Sequence, residues 1–125
     1  MAAIDAQDDL VAALETVTIV ASRVYPRTWP KDVVWPCITY QLIVSTAEQA
    51  LDRSVGAWRD RWQIDLWAKR ESDIQTMTAQ VQAALLAMSG PTRRIISLSL
   101  GDARDAGDPT NQLRHRIQEV WITHV

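Results

Sequence analysis

Between positions 58 and 68 apolar and polar residues alternate with a period of two. Trp58, Trp62, Ile64, Leu66 and Ala68 fall on one side with Asp60 as an acidic intruder, and Arg59, Arg61, Gln63 and Asp65 fall on the other with Trp67 among them. Successive side chains of an extended chain point to opposite faces, so this run predicts a half-buried strand. A second run over 37–46 places Ile38, Tyr40, Leu42 and Val44 against Thr39, Gln41 and Ser45, with Ile43 breaking the alternation. Residues 47–56 are polar and end in Gly56, so they join the two strands as a hairpin loop of about ten residues, long enough to project as an arm.

The helical period appears twice. Ile74, Met77, Val81, Ala84, Leu85 and Met88 keep spacings of three and four, Ser72 with Gln75 forms a capping-box signature, and Gly90-Pro91 supplies the stop. Near the amino end Asp5 is the expected N-cap, with Asp8 and Asp9 in the first turn where carboxylates suit the helix dipole. Leu10, Leu14, Val17 and Ala21 then make one apolar stripe of a helix reaching about residue 21, although the β-branched run 16–20 weakens its last turns.

Arg23-Val24-Tyr25-Pro26 reads as a short extended piece, because the residue before a proline avoids the helical region. Pro30 and Pro36 bracket an irregular loop carrying Trp29 and Trp35. A third strand alternates over 93–100, a turn-rich loop spans 101–111, and a last strand covers about 113–125. Its apolar phase changes between Ile117 and Val120, which predicts a bulge there. Two hairpins separated by a helix define an α+β fold: an antiparallel sheet of about four strands with two main helices on one face, within one domain over residues 1–125.

Composition narrows the functional classes. Thirteen Lys and Arg against 15 Asp and Glu leave a net charge of −2, which argues against a dedicated nucleic-acid binder. No apolar run reaches the roughly 20 residues of a membrane span, and the acidic amino end lacks a basic signal-peptide flank, so the expectation is a cytoplasmic chain, mature from Met1. Six Trp and two Tyr accompany no Phe, a bias that suits contact surfaces and buried cores alike.

The candidate chemistry is sparse. Cys37, the one cysteine, forms no internal disulfide and, with His115 and His124 far from it in sequence, builds no zinc set; no metal or cofactor is expected. Asp102, Asp105 and Asp108 lie three apart, whereas a calcium loop wants carboxylates two apart and a terminal Glu, so they read as a solvated loop. The four glycines are dispersed and cradle no phosphate. Arg59 and Arg61 beside Trp58 and Trp62 suit either nucleic-acid stacking or, more simply, cross-strand ion pairing on a solvent face or subunit boundary. No catalytic set emerges. A small enzyme or ligand-binding module remains the alternative class, since folds host unrelated functions.

Taken in order, Arg23-Val24-Tyr25-Pro26, the proline-bounded loop into Pro36-Cys37-Ile38-Thr39-Tyr40-Gln41, and Arg61-Trp62-Gln63-Ile64-Asp65-Leu66-Trp67-Ala68 directly before a helix resemble the tail-completion proteins of long-tailed bacteriophages, which include tail terminators and head-to-tail joining proteins. The likeness extends to Leu113-Arg114-His115-Arg116 and the closing strand, while the loops at 47–56 and 102–108 match only in position. The resemblance implies a non-catalytic virion subunit that forms a homo-oligomeric ring, usually a hexamer. Such a ring sits on the end of the tail tube, stops tube polymerisation and meets the head connector or other neck proteins, while DNA passes through it without specific binding. A different neck or minor-tail joining protein of the same shape is the nearer alternative. Ring contacts between unlike patches then make Trp29, Trp35, Arg59, Arg61 and Trp67 the expected subunit-interface residues, with completion of the chain's own core as the equal alternative for the three tryptophans. Fixed negative charge repels phosphates, which makes Asp102, Asp105 and Asp108 the expected channel lining.

Overall fold

A computed structural model describes residues 2–49, 55–88, 95–106 and 113–124. The elements follow as helix α1 (Ala2–Glu15), a 3-10 turn (Thr18–Val20), strands β1 (Val24–Pro26), β2 (Cys37–Gln49) and β3 (Val55–Ala68), helix α2 (Glu71–Ala87), and strands β4 (Ile95–Ala106) and β5 (Arg114–His124). All five strands join one sheet in the order β1-β2-β3-β5-β4. The α+β class holds, but the expected antiparallel sheet of about four strands is a mixed sheet of five: β1 pairs parallel with β2, and every other neighbouring pair is antiparallel. The two hairpins meet through β3 and β5, which places the last strand of the chain inside the sheet.

The first helix is shorter than its apolar stripe suggests. It ends at Glu15, where the Thr16 hydroxyl donates to the Ala13 carbonyl at 2.6 Å, and Asp5 lies within the helix instead of capping it. The β-branched residues that follow lose side-chain freedom in a helix. They form the 3-10 turn instead, where the Gln80 side-chain oxygen receives the Thr18 hydroxyl and the Ile19 amide, each at 3.4 Å. Ala21 and Ser22 adopt left-handed backbone angles, φ 47° and 66°, and turn the chain into β1. Arg23 fixes this corner by donating from Nε to the Pro36 carbonyl at 2.9 Å.

α2 begins two residues earlier than the capping-box reading places it. Arg70 is the N-cap and makes no side-chain cap hydrogen bond; Glu71 and Asp73 sit in the first turn, where the helix dipole favours them. The stop expected at Gly90-Pro91 lies outside the described residues, and the helix ends at Ala87 with Met88 as its C-cap.

Both helices cover one face of the sheet. Leu10 and Leu14 from α1 and Ile74, Met77, Val81 and Leu85 from α2 are fully or almost fully buried there, together with Ile38, Trp62, Ile64, Leu66, Val120 and Ile122 from the strands. At roughly 25 cal/mol per Å² of apolar surface removed from water, these side chains are the main stabilising term of the fold.

Two register shifts account for the irregular positions in the sequence. On β2 the partner of Leu42 is Trp62 and that of Val44 is Arg61, so Ile43 is the extra residue of a bulge. The bulge expected on the last strand is displaced to its neighbour. β5 pairs with β3 without interruption from Arg114 to His124, while on β4 Leu100 pairs with Val120 and Ala103 with Gln118, leaving one surplus residue at 101–102. A side chain at Gly101 would bring its Cβ to 3.0 Å from the Glu119 Cβ, a tight contact that favours glycine here. The Gln118 side-chain amide donates to the Gly101 carbonyl and its oxygen accepts from Gln82 of α2, both at 3.0 Å, which ties the bulge to the helix. The loop expected from position 101 is therefore strand through Ala106.

Candidate functional site on the open face of the sheet

The face of the sheet turned away from the helices is built from the polar positions of the alternating runs. Its centre is Asp65, 7 % exposed. The carboxylate accepts the Gln63 side-chain amide at 3.0 Å, lies 3.2 Å from Nε2 of His115 across the β3–β5 ladder, and accepts the Thr39 hydroxyl at 3.4 Å from β2. Thr39 in turn accepts the Trp67 indole N–H at 3.0 Å. Trp67 stacks on the His115 ring at 3.7 Å and meets Trp29 edge-on at 4.5 Å, and Trp29 meets Trp35 edge-on at 5.0 Å. Aromatic pairs in such offset and edge arrangements contribute about 0.5–1.5 kcal/mol each beyond burial. The three tryptophans expected at a subunit contact thus form one partly buried cluster beside β1 and β2, already organised within the chain.

Toward the other end of the same face, Arg61 pairs with Glu119, and Arg104 of β4 approaches the second Glu119 oxygen at 3.7 Å. The Arg59 guanidinium lies 4.5 Å above the Trp121 ring and that of Arg61 5.6 Å above it, cation–π distances that hold both arginines along the face. Cross-strand ion pairing is thus present at Arg61.

The acidic candidates divide. Asp102 is exposed at the β4 bulge, Asp105 is bound to Arg116 at 2.8 Å on the helix side, and Asp108 lies outside the described residues. Arg116 also reaches the Thr78 hydroxyl at 3.1 Å and Glu71 at 3.4 Å, so it joins β4, β5 and α2.

Each histidine has a carboxylate on β3. His124 and Asp60 are fully buried on the helix side with Nε2 2.7 Å from Oδ2, and the Ser45 hydroxyl donates to the other Asp60 oxygen. The residue types are those of a hydrolytic triad, but here the serine hydroxyl donates its hydrogen bond to the carboxylate, whereas in a nucleophile relay it donates to the imidazole. The arrangement gives buried polar groups hydrogen-bond partners. Neither Asp–His pair was read from the sequence; Asp60 on an otherwise apolar face was the available signal for one of them.

Cys37 is fully buried, and burial pushes its thiol up to about 12 against a smaller opposing pull from Arg23. Such a thiol is a poor nucleophile at neutral pH. Burial also raises the Tyr40 hydroxyl. Among the described residues no three His, Cys, Asp or Glu side chains converge to hold a metal ion. Two surface grooves among the described residues, one lined by Thr16, Val17, Thr18, Gln80, Ala83 and Ala84 and the other by Val33, Val34, Trp35 and Lys69, contain no acid–base pair.

A sheet with helices on one face and a self-paired aromatic and charged surface on the other defines a small α+β protein. The chain belongs to the tail completion protein gp17 family, whose profile matches residues 6–124. Its fold is similar to that of a chain in the virion of a native gene transfer agent particle, with a TM-score of 0.66, 17% identity, and coverage of 93% of this chain and 90% of that one. No curated protein matches the chain in sequence. Family membership makes it a structural component of a phage-type virion tail.

Proposed function

We propose that the chain closes into a homo-oligomeric ring, a hexamer, on the end of the tail tube, where it stops tube polymerisation and forms part of the interface between tail and head. Its partners are further copies of itself, the tail tube protein and a head connector or neck protein, with DNA passing through the ring. The observation that carries this reading is the family match over nearly the whole chain. The site chemistry agrees with it: on the open face Arg61 is paired with Glu119 and His115 with Asp65, which leaves these groups engaged in structure. Trp29, Trp35 and Trp67, with Arg59 and Arg61, supply the side-chain part of the contact, and the acidic 102–108 segment, in which Asp102 is exposed, lines the channel. The protein acts by assembly and not by catalysis.

Electron microscopy of tail tubes polymerised with and without the protein tests this function. Capped tubes of limited length are expected when it is present. Tubes that grow to the same lengths with bare ends would refute termination.

A further inference from the structure

Among the described residues the sheet has two edges that no further strand covers in full, and they match. β1 covers β2 only from Ile38 to Tyr40, and no other described strand lies on that side of β2. Beyond Tyr40 the edge of β2 runs through Leu42, Ile43 and Val44, which are 38%, 43% and 42% exposed. An exposed strand edge is normally blunted by Lys, Pro or other charges, because its free N–H and C=O groups recruit further strands. Residues 42–47, Leu-Ile-Val-Ser-Thr-Ala, carry none of these, and the bulge at Ile43 is the one irregularity of the segment. At the opposite edge, residues 95–100 of β4, Ile-Ile-Ser-Leu-Ser-Leu, are equally uncharged, with Ile96 as a surplus residue between the partners of His124 and Thr123, and the charges of β4 begin at Asp102.

The pairing register shows that these two segments are level across the sheet. One row runs Val44–Arg61–Trp121–Ser99, and the next but one runs Thr46–Arg59–Thr123–Ser97. The charged half of β4 lies level with the part of β2 that β1 already covers, since Thr39–Asp65–Ile117–Arg104 form another row. Bare edge therefore faces outward at the same height on both sides, while the remaining length is covered on one side and charged on the other.

Strand direction agrees. In these rows the strands are β2, β3, β5 and β4, alternating in direction. Rotation about an axis along the strands preserves direction, so an even number of alternating strands brings β4 of one copy antiparallel to β2 of the next. Each edge then pairs with an unlike edge, the heterologous contact that closes a ring. A two-fold β2–β2 pairing would leave every β4 edge bare.

We infer that residues 42–47 of one copy pair antiparallel with residues 95–100 of a second copy of this chain, so that the sheets continue from subunit to subunit. This rests on the ring reading above and specifies the joint. It is tested by sedimentation of the purified wild-type protein and of Val44→Lys and Ser99→Lys, with backbone hydrogen exchange measured on the wild type above and below its assembly concentration. The expected result is a wild-type ring, monomeric variants whose thermal midpoints stay within about 5 °C of wild type, and exchange slowed together at 42–47 and 95–100 by about tenfold or more on assembly. Rings that persist in both variants, or protection confined to the β2 segment or absent from both, would overturn the joint and leave the ring standing. A wild type that assembles neither alone nor on tail tubes would overturn the ring and the joint together. Should a substitution unfold the chain, the wild-type exchange pattern decides the matter.

Discussion

β3 serves two surfaces with one strand. Trp62, Ile64, Leu66 and Ala68 point toward the helices and are almost completely buried, whereas Arg61, Gln63, Asp65 and Trp67 point away and are bound mainly to polar and aromatic partners on β2 and β5. The first set stabilises by removing apolar surface from water, a term that grows with area and needs no particular partner. The second contributes through individual pairs of about 1 kcal/mol or less, each dependent on geometry. The helix side therefore fixes the fold, and the open side remains a defined surface that can take part in contacts.

Substitutions on the two sides should separate accordingly. Trp62→Ala removes a fully buried ring at the centre of the core and is expected to cost about 3–5 kcal/mol in denaturant unfolding. Asp60→Ala leaves the buried His124 ring without the carboxylate 2.7 Å away, and a loss of about 1–3 kcal/mol is expected by the same measurement. On the open face, Trp67→Ala removes one hydrogen bond and two ring contacts from a half-buried position, for a loss of about 2 kcal/mol. If Trp67→Ala costs as much as Trp62→Ala, the contrast between the two faces is wrong.

Cys37 sharpens the comparison through pH. Its folded-state pKa of about 12 lies above the ordinary 9.0, so the folded protein holds a proton that the unfolded chain releases. The associated stability is fully present below about pH 9 and is lost as pH rises toward 12, with a slope of at most about 1.4 kcal/mol per unit. Tyr40 acts in the same direction from its own higher starting point. Cys37→Ala should flatten the fall in unfolding free energy between pH 9 and 10; an unchanged slope would show that the thiol ionises freely in the folded chain. The smallest effect is expected at Arg61→Ala, below about 1 kcal/mol, because the pair with Glu119 is partly open to solvent.

The elements most legible in the sequence were those whose period was carried by large side chains. β2, β3 and α2 follow from Ile38, Trp62, Ile64, Ile74, Met77 and Val81, all of which are buried as their spacing requires. What escaped the sequence depends on contacts between distant segments. Three residues of β1 pair parallel with β2 because Arg23 anchors the corner to Pro36, and no local pattern announces a parallel partner. The phase change at Ile117 and Val120 was visible, yet the surplus residue lies across the ladder beside Gly101, where only the close approach of Glu119 reveals it. On the open face, alternation identified Arg61, Asp65 and Trp67 as outward-facing, but their partners His115 and Glu119 lie 50 and 58 positions away in the chain.

Native mass spectrometry of the purified protein tests the central claim most directly. A closed ring predicts one dominant species at six times the 14.1 kDa chain mass, with few open intermediates because only closure satisfies every edge. A spectrum containing only the single-chain mass at all concentrations, with or without tail tubes, would contradict it.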